Sequence, residues 1–211
     1  GHIQRTILAR ELTAELYNVD RRHLNTHSDT ELLLNVLANE LQSTISGLSL
    51  DAEQVFDAVE RLHERVEGSY ATIALIAGHG LLAFRDPLGI RPLVLGRRDG
   101  AGGRDEWVVA SGSLVLESGG YEIVRDIEPG EAILIASDGS MTSRQCAQNP
   151  RLVPCAFEYI YLARPDSVMN GISVYDARLR LGDVLAAQVA AEVPSGSIDV
   201  VMPIPDSARP S

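Results

Sequence analysis

Between positions 84 and 93 the chain reads Phe-Arg-Asp-Pro-Leu-Gly-Ile-Arg-Pro-Leu, and it runs on into Val-Leu-Gly96. Pro87 and Pro92 each fix φ and remove a backbone donor, and Gly89 can take the positive φ that a tight turn needs. Short apolar runs, 81–84 and 93–95, flank the segment like strand ends. Two strands can be joined by as few as about two residues. A connection that adds two prolines, a glycine and the charges of Arg85, Asp86 and Arg91 is specified for more than chain reversal. The simplest physical reading is a rigid loop with a buried arginine.

Upstream of this loop the apolar period is helical. Residues 9–18 carry Leu12 and Leu16 on one face. Ser28-Asp-Thr-Glu31 predicts a capping box, with Ser28 accepting from the Glu31 amide while Glu31 reaches back. The helix it opens presents Leu32, Leu33, Val36, Leu37 and Leu41 at helical spacing. Asp51 caps a third helix with Val55, Val59, Leu62 and Val66 inward, ended by Gly68. From Tyr70 the period changes to that of strands. Residues 71–77 and 81–85 predict a hairpin around Gly78-His-Gly80, and strands follow at 93–97, 107–110, 121–125, 132–136 and 141–144. Residues 100–103 read as a hairpin tip. Helices followed by a run of antiparallel strands argue for an α+β fold with helix layers on sheet, not a βαβ alternation.

The pattern shifts near 146–154, where Pro150 and Pro154 break regular structure. Beyond it the sequence predicts an aromatic strand at 157–163 and a helix at 175–192 with Leu181, Leu185 and Val189 inward. A fully apolar strand at 198–202 follows, of the kind found in parallel sheets covered on both faces. These elements read as the opening of a second domain that the remaining length does not close.

Composition narrows the function. A net charge of −11 argues against a nucleic-acid surface, since phosphate neutralisation needs clustered cations. No run approaches the roughly 20 apolar residues of a membrane helix, no secretory pattern opens the chain, and it reads as cytoplasmic. Two cysteines, Cys146 and Cys155, make neither a disulfide framework nor a zinc site. His23 and His27 are four apart but have no carboxylate or cysteine companion and read as non-metal.

The 84–96 segment resembles that of glutamine amidotransferases with an N-terminal cysteine nucleophile, and within them the amidophosphoribosyltransferase family. Pro154-Cys-Ala-Phe-Glu-Tyr-Ile-Tyr-Leu-Ala-Arg-Pro-Asp-Ser167 and Ile198-Asp-Val-Val-Met-Pro-Ile-Pro-Asp-Ser207 resemble the same family. The resemblance implies a four-layer α/β/β/α N-terminal-nucleophile glutaminase domain, here its later part at 1–145, followed by the start of a type I phosphoribosyltransferase α/β domain at 146–211. The complete enzyme would transfer ammonia from glutamine to phosphoribosyl pyrophosphate, with Mg2+, giving 5-phosphoribosylamine for de novo purine biosynthesis. It would be a homo-oligomer without nucleic-acid or membrane partners.

Residue by residue, the resemblance implies that Asp29 binds the α-amino group of glutamine, a role that suits a carboxylate in a partly desolvated pocket. It implies that Asp206 and Ser207 belong to the pyrophosphate loop. It also marks departures. The family's nucleophilic cysteine is the first residue, with its own α-amine as base, but residue 1 here is Gly. The oxyanion segment His-Asn-Gly-Asn would fall on His2-Ile-Gln-Arg5, and Ala110-Ser-Gly-Ser113 replaces an expected Ala-Ser-Glu-Ser, leaving Ser111 beside Gly112. The chain alone is therefore expected not to hydrolyse glutamine. Some members use a cysteine at the place of Cys155 for an iron–sulfur cluster. Such a cluster needs about four thiolates, and none is expected here. Tyr159 and Tyr161 would face core and interdomain space. Two other readings stay open: a catalytically dead binding or regulatory remnant of the same fold, or another amidotransferase such as an asparagine synthetase.

Overall fold

The computed structural model describes residues 2–3, 7–26, 28–45, 50–100, 103–194, 196–204 and 208–209, with backbone alone at 2–3 and 7–9. In chain order the elements are β1 (His2–Ile3), α1 (Ile7–Asn18), α2 (Asp29–Thr44), α3 (Ala52–Arg65), β2 (Gly68–Ser69), β3 (Ala71–Ile76), β4 (Gly80–Arg85), β5 (Val94–Asp99) and β6 (Asp105–Ala110). They continue with α4 (Ser113–Ser118), β7 (Glu122–Asp126), β8 (Glu131–Ala136), β9 (Met141–Gln145), a π-helix (Glu158–Leu162), β10 (Val168–Met169), β11 (Ile172–Ser173) and α5 (Val174–Glu192).

Two antiparallel sheets form the centre, one ordered β3-β4-β8-β9 and the other β6-β5-β7. Strand alternation decides what each face covers. On β4 and β8, Leu82, Phe84, Ala132 and Leu134 join Val36, Val55, Val59 and Leu62 in a core beneath α1–α3. Ala83 and Ile133 point the other way, into a second core with Leu93, Leu95, Val109 and Ile127 between the sheets. On the outer face of the three-stranded sheet, α4 lays Leu116 against Gly96 and Val108. A Cβ on Gly96 would stand 2.4 Å from Leu116 Cδ2, so a glycine in mid-strand is what lets α4 approach. The result is the expected α+β, four-layer α/β/β/α order, with the short helix α4 as its fourth layer among the described residues.

Helix starts follow the local chemistry, with one difference from the sequence reading. The capping box belongs to α3, where Gln54 N–H donates to Asp51 Oδ1 at 2.8 Å and Asp51 N–H donates to Gln54 Oε1 at 3.0 Å. At α2, Ser28 Oγ accepts from Thr30 N–H at 3.3 Å, and Glu31 turns elsewhere. Arg65 at the end of α3 pairs with Glu15 (3.0 Å), Asp20 (2.7 Å) and Glu40, tying α1, α2 and α3 together.

The C-terminal part departs most from expectation. The stretch expected as an aromatic strand is a turn of π-helix, in which Glu158 is buried against Arg91 at 2.6 Å and Tyr161 is exposed. Residues 198–202 form no strand and stand open, Val201 at 84%. Helix α5 forms where predicted, but Leu181, Leu185 and Val189 are not inward. At 198–202 and along α5 the apolar pattern is present and a covering surface among the described residues is not, so no phosphoribosyltransferase sheet is formed among them.

Candidate functional site

Asp29 is the first residue of α2, a position where a carboxylate is favourably placed in the helix dipole. It lies at a cleft of about 300 Å³ between the inner side of α2 and the outer strand β3. Thr30, Leu33, Leu34 and Leu37 line one side, and Tyr70, Ala71, Thr72, Ile73, Ala74 and Leu75 the other. The walls are mainly apolar, and the lining residues that carry polar side-chain groups are Asp29, Thr30, Thr72 and Tyr70. Such a site suits a ligand with a cationic group on a short, partly aliphatic body. The backbone of β1 pairs with β2, His2 opposite Ser69 and Ile3 opposite Gly68, so the chain's beginning lies directly before Tyr70 and this wall.

Tyr70 is held from both sides. Its hydroxyl meets His63 Nδ1 at 2.8 Å, and its ring lies edge-on to Phe84 with centroids 6.1 Å apart. Burial pushes the His63 imidazole down to about 4 and raises the Tyr70 phenol above its ordinary range. On the backbone side, Tyr70 N–H donates to Asp86 Oδ2 at 3.3 Å, and Asp86 N–H donates to Tyr70 O at 2.8 Å.

Asp86 organises the Pro-Gly-Pro loop. Its Oδ1 accepts from Leu88 and Ile90 N–H (3.0 and 3.1 Å), and its Oδ2 also accepts from Ile90 and Arg91 N–H (3.1 and 3.4 Å). Burial raises this carboxyl above its ordinary value, opposed by these amides. Gly89 sits at φ +56, and a Cβ there would come within 2.8 Å of Pro129 Cγ, so both backbone and space require glycine. Arg85 is 1% exposed and spends its donors on the Arg91, Ile127 and Gly89 carbonyls, each at 2.7 Å, and on Asn170 Oδ1 at 3.2 Å. Burial lowers its affinity for the proton. The buried arginine expected from the sequence is therefore present, bound mainly to carbonyls.

The loop also receives the C-terminal segment. Arg151, Val153 and Cys155 N–H donate to the Pro87, Leu88 and Ile90 carbonyls at 3.0, 2.7 and 3.3 Å. Cys155 is half-buried and Cys146 buried, its thiol pushed up to about 11 by desolvation, and neither lines the cleft. Ser111 is an exposed turn residue, and Gly112 is the N-cap of α4 in ordinary extended geometry. His23 is exposed with its ring edge-on to Tyr17. His27, Gln4, Arg5, Asp206 and Ser207 lie outside the described residues. Among the described residues no group of three or more His, Cys, Asp or Glu could hold a metal ion. No helix among them is long and apolar enough to cross a membrane.

The sequence reading missed Tyr70 and Thr72 as cleft wall. A signal existed in the edge position of the first strand after α3, but only the α2/β3 packing turns that position into a site.

A family described as "Glutamine amidotransferase domain" matches residues 7–117, just over half of the chain. Amidophosphoribosyltransferase from Pasteurella multocida is 50% identical over 200 residues, covering 94% of this chain and 39% of the relative. That from Escherichia coli is 48% identical over 95% of the chain, and that from Schizosaccharomyces pombe 43% identical over its whole length, covering 39% and 42% of those relatives. The chain thus spans about two-fifths of the length of the curated relatives it matches. Glutamine phosphoribosylpyrophosphate amidotransferase from B. subtilis, solved with ADP and GMP, superposes with a TM-score of 0.74 at 30% identity, over 96% of this chain and 39% of that one. A structure titled as the allosteric regulatory enzyme of purine biosynthesis gives 0.75, also at 30% identity, over 97% of this chain and 39% of that one. By sequence and by fold, the chain belongs to the glutamine amidotransferase domain family, with amidophosphoribosyltransferases as its relatives.

Proposed function

We propose that this chain supplies the glutamine-binding part of an amidophosphoribosyltransferase, and that the α2/β3 cleft takes glutamine with Asp29 on its α-ammonium group. The observation that carries the reading is Asp29 as the one acidic residue in the lining of a mainly apolar cleft. An ammonium–carboxylate pair gains strength in such partly desolvated surroundings, and the apolar walls suit the methylenes of the side chain. The chain contributes binding and not the nucleophile, since no thiol lines the cleft and the buried Cys146 thiol resists ionisation. Transfer of the released ammonia to phosphoribosyl pyrophosphate in purine synthesis, in the cytoplasm and in a homo-oligomer, is the whole-protein activity this reading entails. A start of the transferase domain at residue 146 is part of the same reading. Mg2+ would serve the transferase half of the complete enzyme in the same reading; among the described residues no group of three or more His, Cys, Asp or Glu could hold it.

Hydrogen–deuterium exchange with and without L-glutamine tests the reading. Protection is expected in residues 28–37 and 70–75, and not with D-glutamine. Absence of protection there, or equal protection by both enantiomers, overturns it.

A further inference from the structure

Glu31 is the third residue of α2, and its carboxylate does not take up the Ser28 amide that a capping box would give it. It reaches instead across the segment before the helix. Oε1 accepts from Asn25 N–H at 2.7 Å and Asn25 Nδ2 at 3.2 Å, and Oε2 accepts from Thr26 N–H at 2.7 Å and Thr26 Oγ1 at 2.6 Å. Two consecutive backbone amides and two side chains thus converge on one carboxylate. These donors, the Asn25 amide foremost, hold the carboxyl down to about 2, so it stays ionised at any working pH.

The connection does not stop at Thr26. The same hydroxyl oxygen accepts from Ser28 N–H at 3.2 Å, and Ser28 Oγ accepts from Thr30 N–H at 3.3 Å. The path Glu31–Thr26–Ser28–Thr30 leaves the helix and returns to it, closing around Asp29. Both peptide neighbours of Asp29 are therefore tied to groups that Glu31 organises. Glu31 itself is half-buried and lines no part of the cleft. The body of α2 is anchored independently, by Leu32, Leu33, Val36 and Leu37 in the core and by Glu40 on Arg65. A carboxylate that must meet a ligand ammonium in one direction depends on how firmly its backbone is fixed.

We propose that Glu31, acting through Thr26, is a positioning residue that fixes Asp29 for the amino group of the ligand in the α2/β3 cleft. The proposal rests on the reading of Asp29 given above. It predicts that loss of the clamp removes the recognition of the amine while leaving the rest of the ligand's binding in place.

The test is a ligand-observed NMR titration of the purified chain with L-glutamine and with 4-carbamoylbutanoate, which lacks the α-amino group. The unaltered chain should prefer L-glutamine. Glu31→Gln and Thr26→Val should each lower the affinity for L-glutamine about tenfold and leave that for 4-carbamoylbutanoate unchanged. Thr26→Ser, which keeps the hydroxyl, should retain the preference. An undiminished preference in Glu31→Gln and Thr26→Val, or an equal loss for both ligands, overturns the proposal. Asp29→Asn separates the two ideas: if it leaves the preference intact, the reading of Asp29 fails and the positioning role with it. No binding of L-glutamine by the unaltered chain sinks both.

Discussion

Helices α2 and α3 and helix α5 carry apolar residues at the same spacing, yet they come to different ends. In the first pair, Val36, Val59 and Leu62 are 0% exposed, whereas Leu181, Leu185 and Val189 in α5 stand 44%, 58% and 37% exposed. Helix formation does not separate them. Ser173 caps α5 by accepting from Asp176 N–H at 3.2 Å, as Asp51 caps α3. What differs is the second surface. The face of β4 and β8 supplies Leu82, Phe84 and Leu134 to the first pair. Helix α5 is held at its N-terminal end, where Arg178 donates to the Tyr159 and Ala163 carbonyls at 2.8 and 2.7 Å and Val174 is buried. An apolar stripe specifies a helix and a direction, but its stability contribution depends on what the stripe meets.

The seam between the two regions is the loop after β4. Arg85 binds Asn170, Arg91 binds Glu158, and three loop carbonyls receive residues 151–155. The comparison can be broken at several points. The largest effect is expected in the body: Phe84→Ala, a fully buried ring beneath α3, should cost about 3–5 kcal/mol in denaturant unfolding. At the seam, Arg85→Met strands three buried carbonyls and should cost about 3 kcal/mol, with faster amide exchange across residues 158–178. A loss confined to the sheets would show that Arg85 does not join the regions.

His63 gives a pH test of the body. Its folded-state pKa lies below the unfolded value of 6.5, near 4, because burial disfavours the charged ring. The unfolded chain therefore binds more protons between those values, so stability rises with pH from about 4 to 6.5 and this contribution is complete above it. His63→Leu should remove that part of the pH dependence, up to roughly 2–3 kcal/mol, as read from unfolding curves at pH 4.5 and 7. A wild-type-like slope in the variant would place the dependence elsewhere. The smallest effect belongs to α5, where Leu185→Ala should change unfolding free energy by less than about 0.5 kcal/mol. A loss as large as that of Phe84→Ala would mean that α5 is buried in solution.

Much of the body is legible in the amino-acid sequence. The change of period at Tyr70 locates both sheets' strands, because half-buried strands must alternate. The doubled prolines around Gly89 mark a loop with a buried arginine, because that combination serves little else. The sequence does not disclose that α4 follows Gly112, nor that the 157–163 segment winds into a π-helix around Glu158. Both depend on a distant partner: Leu116 needs the space over Gly96, and Glu158 needs Arg91. The candidate site is half legible. The family resemblance singles out Asp29, whereas its residue pattern alone reads as a capped helix start, and the apolar wall on β3 exists only through packing. The spacing alone assigns Glu31 to a cap. Asn25 and Thr26, six and five residues upstream, outcompete Ser28 for its carboxylate, a contest that a three-residue motif does not encode.

The central claim, that Asp29 recognises the amino group of glutamine in the α2/β3 cleft, is tested most directly by titrating L-glutamine into Asp29→Asn beside the unaltered chain. Loss of one charge-assisted contact predicts an affinity lower by at least about tenfold, with the unfolding midpoint preserved. Equal affinity in the two proteins would contradict it.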